Sequence, residues 1–332
     1  MRVLVTGGCG FVGAALADAL SQRGGFSVKL IDDLRVGQPG DLDLRGLEYD
    51  LLPSGASADW PASGGLSLAV GDIADAGWLR GCADSADVIV HLAGVPGVAD
   101  SISDPVGNAV ENVVGAVKVL EVGRSVGAGL VLCASSGAPV GTQEPPYDED
   151  STPRPESPYG AAKLAIEGYC SAYHHSFGMR AVALRFSNIY GPGSHRKRSV
   201  VARSILAAAS GEPIRVTGSG SQTRDFIFVD DVVAALVAMM ALPSGQVPAL
   251  FHVSTGVETQ VRQIMETLVG ACAAVGWGAQ LTSIAANPGE VLRNSADSAR
   301  IRQLTGWKPE VGLSEGIDAT VGWFSRNRDS VL

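Results

Sequence analysis

A short apolar strand, Val3-Leu4-Val5, runs directly into Thr6-Gly7-Gly8-Cys9-Gly10-Phe11-Val12-Gly13, and from Phe11 the apolar residues recur with helical spacing as far as Gln22. A second strand at 27–31 ends in Asp32-Asp33. Strand, glycine-rich turn, helix and strand in this order make a βαβ unit, because parallel strands need a long crossover and a helix is its usual form. A parallel sheet must be covered on both faces, so the rest of the chain has to supply further strands alternating with helices.

Strands at 68–70, 88–90, 130–132 and 181–186 are followed by Gly71-Asp72-Ile73, His91-Leu92-Ala93-Gly94, Ala134-Ser135-Ser136 and Asn188-Ile189-Tyr190-Gly191. The spacing predicts a helix at 112–122. Residues 34–66, rich in Gly, Pro, Ser and Asp, read as loop with one irregular element, and 145–158 as a proline-rich excursion. Beyond 186 the alternation loosens, and turn signals cluster at 211–222 and 285–289. The expected fold class is α/β, a Rossmann-type doubly wound parallel sheet with a smaller C-terminal lobe. The expected division is 1–180 for a nucleotide-binding domain and 181–332 for a mainly substrate-binding lobe, partly interleaved with the first.

With 332 residues, 46% of them hydrophobic, there is ample material for a core. A net charge of −9 argues against a general binder of nucleic acid or anionic membrane. Five scattered cysteines with no Cys-x-x-Cys or Cys/His cluster point to reduced thiols, a cytoplasmic protein and no metal. Met1-Arg2 leads straight into a strand, so no targeting segment is expected. The longest apolar run, 232–242, is too short to span a bilayer.

Glycines at 7, 10 and 13 let a pyrophosphate approach backbone amides at a helix N-terminus. Glycines also simply make turns, so the triplet takes its meaning from the strand before it, the helix after it and an acid 19 residues beyond Gly13. Asp32 ends the second strand, where a carboxylate can bind both hydroxyls of an adenosine ribose and repels a 2′-phosphate. The expected cofactor is therefore NAD rather than NADP. Asp72 can accept from an adenine amino group or cap a helix.

Tyr159 and Lys163 stand four residues apart in Ser157-Pro158-Tyr159-Gly160-Ala161-Ala162-Lys163. About one helical turn puts both side chains on one face. A lysine ammonium beside a tyrosine hydroxyl favours the phenolate, and a phenolate poised near neutral pH is a general base for an alcohol proton. Ser136 lies at a strand's carboxyl end, where ligands gather in open parallel sheets, and can hydrogen-bond the reacting oxygen. A lone serine is more often a cap or turn residue. His91 reads as structural, and His174 and His175 as surface or interface. Arg224 can grip a phosphate bidentately, with a structural Arg–Asp pair as the rival reading. The run His195-Arg196-Lys197-Arg198 reads as a solvated loop face able to approach an anionic substrate.

In order, and over nearly the whole chain, these residues resemble the extended short-chain dehydrogenase/reductase family in its NAD-dependent nucleotide-sugar epimerase/dehydratase branch, and within it the UDP-sugar 4-epimerases. The Thr6–Gly13 opening, Asp104-Pro105, Asn112-Val113-x-Gly115, Ser135-Ser136, Tyr159, Lys163, Arg185-Phe-Ser-Asn188, Arg224-Asp225-Phe226, Val229-x-Asp231 and Gly306-Trp307-x-Pro309 carry the likeness. It implies that Gly7, Gly10, Phe11, Val12, Gly13, Asp32, Asp33, Asp72, Ile73, Leu92, Ala93, Gly94 and Asn112 hold NAD together with Tyr159 and Lys163. It implies catalysis by Tyr159, Lys163 and Ser136. Tyr159 would take the proton from a sugar hydroxyl, usually on carbon 4, as NAD takes the hydride from that carbon. Lys163 would lower the tyrosine pKa and bind the nicotinamide ribose, while Ser136 steadies the oxygen as it becomes a ketone. An epimerase then returns the hydride to the other face. Substrate contacts would fall on Ser136, Asn188, Arg224, Glu290, Arg293 and Asn294. A homodimer paired through a helix that includes 159–177 is usual for the family.

Several positions depart from the pattern. Gly137-Ala138 stand where the 4,6-dehydratases carry an Asp-Glu pair, so water elimination lacks its acid and base. Asn188 matches neutral-sugar epimerases rather than the Thr frequent in members that handle uronic acids. Val140 replaces the usual Tyr. Asn287-Pro288-Gly289-Glu290 stands for the usual Arg-x-Gly-Asp and lacks an expected diphosphate arginine, for which Arg293 or the Arg196 cluster can compensate. The leading reading is a nucleotide-sugar 4-epimerase. Its rivals are a net NAD-dependent oxidoreductase or decarboxylase on such a sugar, and a non-catalytic NAD-binding protein.

Overall fold

The computed structural model describes residues 1–53, 59–243, 245, 247–285 and 292–332. Glu290 and Asn287 to Gly289 lie outside the described residues. The chain forms two units: Met1–Gly141, Thr152–Arg185 and Leu236–Phe251 make the first, and Thr142–Ser151, Phe186–Ala235 and His252–Leu332 the second.

The first unit follows the expected alternation. Its elements are β1 (Arg2–Thr6), α1 (Phe11–Arg23), β2 (Ser27–Asp32), α2 (Pro39–Asp43), β3 (Asp50–Leu51), β4 (Leu66–Val70), α3 (Ala76–Ala83), β5 (Val88–His91), α4 (Val98–Ser103), α5 (Pro105–Ala109), a π-helical turn (Val110–Val114), α6 (Gly115–Val126), β6 (Leu130–Ser136), α7 (Pro158–Phe177) and β7 (Ala181–Phe186). The sheet has eight strands, ordered from one edge as the strand Leu250–Val253, β7, β6, β5, β1, β2, β4, β3. β3, β4, β2, β1, β5 and β6 run parallel, with Val5 in register between Leu30 and Val90. Chain order reverses at β1, which places the switch point at the carboxyl ends of β1 and β5. One face packs Leu4, Ile31, Ile89, Val131 and Ala183 against Leu79, Cys82, Val119, Leu120, Ile166 and Cys170. Val3, Leu4 and Val5 are fully buried, as a strand covered on both faces requires.

Three stretches differ from the sequence reading. The segment 34–66 contains α2 and β3; α2 begins at Pro39 with a capping box in which the Gln38 N–H donates to the Asp41 carboxylate at 2.8 Å. α3 escaped notice because Gly77 and Gly81 dilute its apolar face, and Asp75 caps it by accepting from the Trp78 N–H. The single helix expected at 112–122 is the end of the π-helical turn and most of α6, with α5 just before them. Asp104 caps α5 by accepting from the Gly107 N–H, and Pro105 fixes its first turn.

In the second unit, Asn188–Tyr190 pairs with Phe226–Phe228, Ile214–Thr217 with Leu281–Ile284, and Thr223–Arg224 with Thr259–Gln260. Two buried carboxylates organise its loops. Asp225 accepts from the Thr255 N–H and hydroxyl and from the Gly256 N–H, and Asp231 from the Glu310 and Val311 N–H groups. Trp307 Nε1 donates to the Asp231 carbonyl. The Arg224-Asp225-Phe226 and Gly306-Trp307 signatures are in this sense architectural.

Candidate active site

The glycine turn is built so that only hydrogen fits where its backbones meet. Gly7 adopts a φ of 70°. A Cβ on Gly13 would stand 2.2 Å from the Gly7 carbonyl oxygen. The first turn of α1 is thereby pressed against the end of β1, and its amides face the switch point, a cradle that suits a dinucleotide pyrophosphate. Asp32 is buried beside it. Its carboxylate accepts from the Cys9 N–H and the Leu34 N–H, both at 2.9 Å, and burial raises its pKa despite those bonds. Asp33 pairs with Arg35. Asp72 accepts from the Ala74 N–H, and the helix-cap role falls to Asp75.

Ala93 N–H donates to the Thr6 hydroxyl, which also bonds the His91 ring at 2.8 Å. Burial, and secondarily the charge of Lys163, push the His91 imidazole down to about 3, so it is a neutral structural group. Asn112 lies in the π-helical turn. Its Nδ2 donates to the carbonyls of Val95 and Asn108, both at 3.1 Å, while its buried Oδ1 faces Gly94 without a hydrogen-bond partner. A cavity of about 260 Å³ opens between Val95, Asn108, Arg35 and Glu111. Asn108 and the π-helical turn were not singled out from the sequence; a π-bulge leaves no periodic signature, although such bulges collect at functional sites.

α7 carries the reactive pair. Ser157 caps it by accepting from the Gly160 N–H, Pro158 sets its first turn, and Gly178 closes it with a φ of 64°. Tyr159 and Lys163 share a face, with the Lys163 ammonium 5.8 Å from the Tyr159 ring centre. Burial raises the Tyr159 pKa, and a hydrogen bond with Ser136 works against that rise. Lys163 Nζ donates to the Ala134 carbonyl at 2.9 Å, and burial pushes its pKa down to about 8. Burial thus opposes charge on both groups, and the ammonium is turned to Ala134. Ser136 Oγ accepts from the Ala138 N–H at 3.0 Å.

Beneath this pair lies one that the sequence reading missed. Glu167, one turn beyond Lys163, accepts from the Ser135 hydroxyl at 2.6 Å and from Arg185 Nε and Nη2 at 2.8 and 2.7 Å. Both ionic side chains are at least 95% buried. The i, i+4 spacing Tyr159, Lys163, Glu167 was the available signal. Ser135 thus reaches α7 at Glu167, and Ser136 reaches the same helix at Tyr159.

In the second unit, Asn188 is exposed and its Nδ2 donates to the Asp225 carbonyl at 2.9 Å. Arg224 Nη1 donates to the Thr223 carbonyl. Arg293 is held by Glu258 and Glu144, and Asn294 Oδ1 accepts from the Tyr147 hydroxyl at 3.0 Å. The run at 195–198 is not simply solvated. His195 stacks on Trp323, and Lys197 Nζ donates to the Ile189 carbonyl at 2.7 Å, with burial lowering its pKa to about 8.

Comparison with known proteins agrees with this geometry. Residues 3–253 match the NAD dependent epimerase/dehydratase family. The UDP-glucose 4-epimerase of Mycolicibacterium smegmatis is 35% identical over 333 residues, covering 99% of each chain. The structure of UDP-glucose 4-epimerase from Thermotoga maritima with UDP-glucose superposes with a TM-score of 0.85 at 27% identity, covering 99% of this chain and 100% of that one. That of Thermus thermophilus UDP-glucose 4-epimerase complexed with NAD gives 0.82 at 29%, covering 98% and 99%. A parallel sheet with a glycine turn at its switch point, a Tyr/Lys helix beside it and likeness over the full length lead to one assignment: the chain belongs to the NAD-dependent epimerase/dehydratase family.

Proposed function

We propose that this chain interconverts the carbon-4 epimers of a UDP-hexose, UDP-glucose and UDP-galactose first, through a transient 4-keto sugar. The observation that carries the proposal is the joined Ser136, Tyr159 and Lys163 group on the glycine-turn unit. The residues present fit NAD: the pressed glycine backbones, the buried Asp32 and the unpartnered Asn112 Oδ1 are the features such a ligand uses. NAD, when bound, supplies a reversible two-electron acceptor and a fixed positive charge that favours the tyrosine phenolate. The rest is the work of the chain's own residues. Tyr159 removes the proton of the carbon-4 hydroxyl and returns it after the sugar has turned over. Ser136 donates to that oxygen as it becomes a carbonyl. Lys163 neutralises developing charge on Tyr159. Gly137-Ala138 offer no carboxylate for dehydration at carbons 5 and 6. Asn188, Arg224, Arg293 and Asn294 are proposed as substrate contacts, with Arg293 released from its acidic partners when a diphosphate arrives.

The assignment is tested by incubating the protein with UDP-, dTDP-, GDP- and CDP-sugars and reading products by NMR. A product of unchanged mass with inverted carbon 4 and no accumulating NADH is expected. Net NADH formation or a 4-keto-6-deoxy product overturns it.

A homodimer is part of the proposal. Val98, Ile102, Val106, Val110 and Val114 recur every four residues and are all exposed, as are Tyr169 and Phe177 on α7. Such an apolar face on one unit suits a symmetric pairing with a second copy. Light scattering should give twice the chain mass, and Ile102→Lys should halve it. No helix among the described residues is long and apolar enough to cross a membrane, and all five cysteines are free and buried. A cytoplasmic location is proposed on the thiols.

A further inference from the structure

We infer that Glu111 is a determinant of cofactor choice: it holds the Arg35 guanidinium in a bidentate ion pair and so withholds from a 2′-phosphate the cation that stands beside Asp32. The inference rests on the cofactor reading above. Arg35 lies three residues beyond Asp32, in the segment that leaves the carboxyl end of β2. That segment folds back on the acids. The Leu34 N–H donates to Asp32 Oδ1 at 2.9 Å and the Arg35 N–H to Asp33 Oδ1 at 3.0 Å, and Leu34 takes a left-handed φ of 60° to allow it. Two residues further, Gly37 is pressed on the glycine turn, where a Cβ would come within 2.4 Å of the Cys9 carbonyl oxygen. Arg35 is therefore carried at the edge of the region framed by Asp32 and the turn. An arginine at that edge is the group a dinucleotide site uses to accept a 2′-phosphate.

In this chain the guanidinium is already committed. Nη1 donates to Glu111 Oε1 at 2.7 Å, Nη2 donates to Glu111 Oε2 at 2.8 Å, and Nε donates to Asp33 Oδ2. The pairing holds the Glu111 carboxyl below its usual range and the guanidinium above its own. Two acids, Asp33 and Glu111, thus hold one cation, and Asp32 stands three residues before it in the chain. A 2′-phosphate carries about two negative charges and would meet a rim of net negative sign with the arginine fork filled. Both partners are partly exposed, so the pair adds little to fold stability, and its consequence lies in what Arg35 can reach. Discrimination then has two layers: Asp32 repels the phosphate, and Glu111 denies it a counter-charge.

The test is titration of the full chain, after exchange of any bound nucleotide, with NAD and with NADP. Asp32→Ala is compared with Asp32→Ala/Glu111→Gln and with the triple variant that adds Arg35→Gln. Removing Glu111 in the Asp32→Ala background should raise NADP affinity relative to NAD about tenfold, the worth of one charge-assisted contact, and Arg35→Gln should abolish the gain. An unchanged ratio, or a gain that survives Arg35→Gln, overturns the inference. Glu111→Gln and Glu111→Ala on the wild-type background should move the ratio in the same direction, which keeps the test decisive if the Asp32 variants fold poorly. Failure of the wild-type chain to bind NAD would overturn the cofactor reading itself. NAD binding with an indifferent Glu111 would overturn this inference alone.

Discussion

The two units hold their candidate residues in different ways. In the first, the cofactor cradle is made of backbone: a left-handed Gly7, a Gly13 pressed on the Gly7 carbonyl, and strand ends gathered at a switch point. In the second, the candidate substrate contacts among the described residues are polar side chains, and each has a partner within its own unit, such as Glu258 and Glu144 for Arg293 or Tyr147 for Asn294. A backbone cradle exists before its ligand arrives. A site of such side chains has to exchange its internal bonds for ligand bonds, so its affinity is a difference between two sets of contacts.

The largest expected effect tests the rigid side of that contrast. Tyr159→Phe keeps the cradle and should retain NAD, yet lose roughly two to four orders of magnitude in rate, the usual worth of a general base. Near-wild-type turnover would remove the tyrosine from the chemistry. Breaking the anchor below it should act on stability instead. Glu167→Ala leaves Arg185 buried without its partner and should cost about 3–5 kcal/mol in a urea titration. Replacing both residues by methionine should cost far less, and equal losses would show that shape rather than charge holds α7.

A smaller effect is expected in the pH profile. Burial raises the Tyr159 pKa, so at neutral pH the phenol is favoured and rate should climb as pH rises. Lys163, pushed down to about 8, loses its charge above that value, so its help is present below about 8 and fades above it. Lys163→Ala should therefore be slower at neutral pH and need a higher pH to reach its plateau in kcat/KM. A plateau at the wild-type pH would separate Lys163 from the proton transfer. The smallest effect probes the adaptable unit. The Asn294 amide carries both a donor and an acceptor and can hydrogen-bond an acetamido group. Asn294→Tyr should reduce turnover of an N-acetylhexosamine nucleotide about tenfold while sparing the plain hexose, the order of one lost hydrogen bond. Equal change in both would show that Asn294 serves Tyr147 and not the pocket.

The same contrast explains what could be read from the sequence. Gly7, Gly10, Gly13, Asp32, Tyr159 and Lys163 lie at fixed spacings, because strand, turn and helix set the distance between them. β1, α1, β2 and β7 were legible for the same reason, as apolar runs bounded by turn residues. The Glu167–Arg185 anchor spans 18 positions and the Arg35–Glu111 pair 76, and no local pattern announces a contact between distant charges. α3 was hidden by its own glycines. The direction of the Tyr159 and Lys163 shifts was hidden for a different reason: it depends on how much water the fold excludes, which spacing does not encode.

The π-helical turn Val110–Val114 makes the length of its segment as restrictive as its residues. Such a turn holds one residue more than an α-helical turn would. Its exposed Val110 and Val114 continue the apolar stripe, while Glu111 and Asn112 reach Arg35 and Val95 from the same five positions. Deleting a single residue here would let the helix heal into regular α form, and each residue before the deletion would turn by about 100° relative to those after it. The two duties would then fall out of phase. Relatives that preserve both should differ in this segment by substitution but not by insertion or deletion.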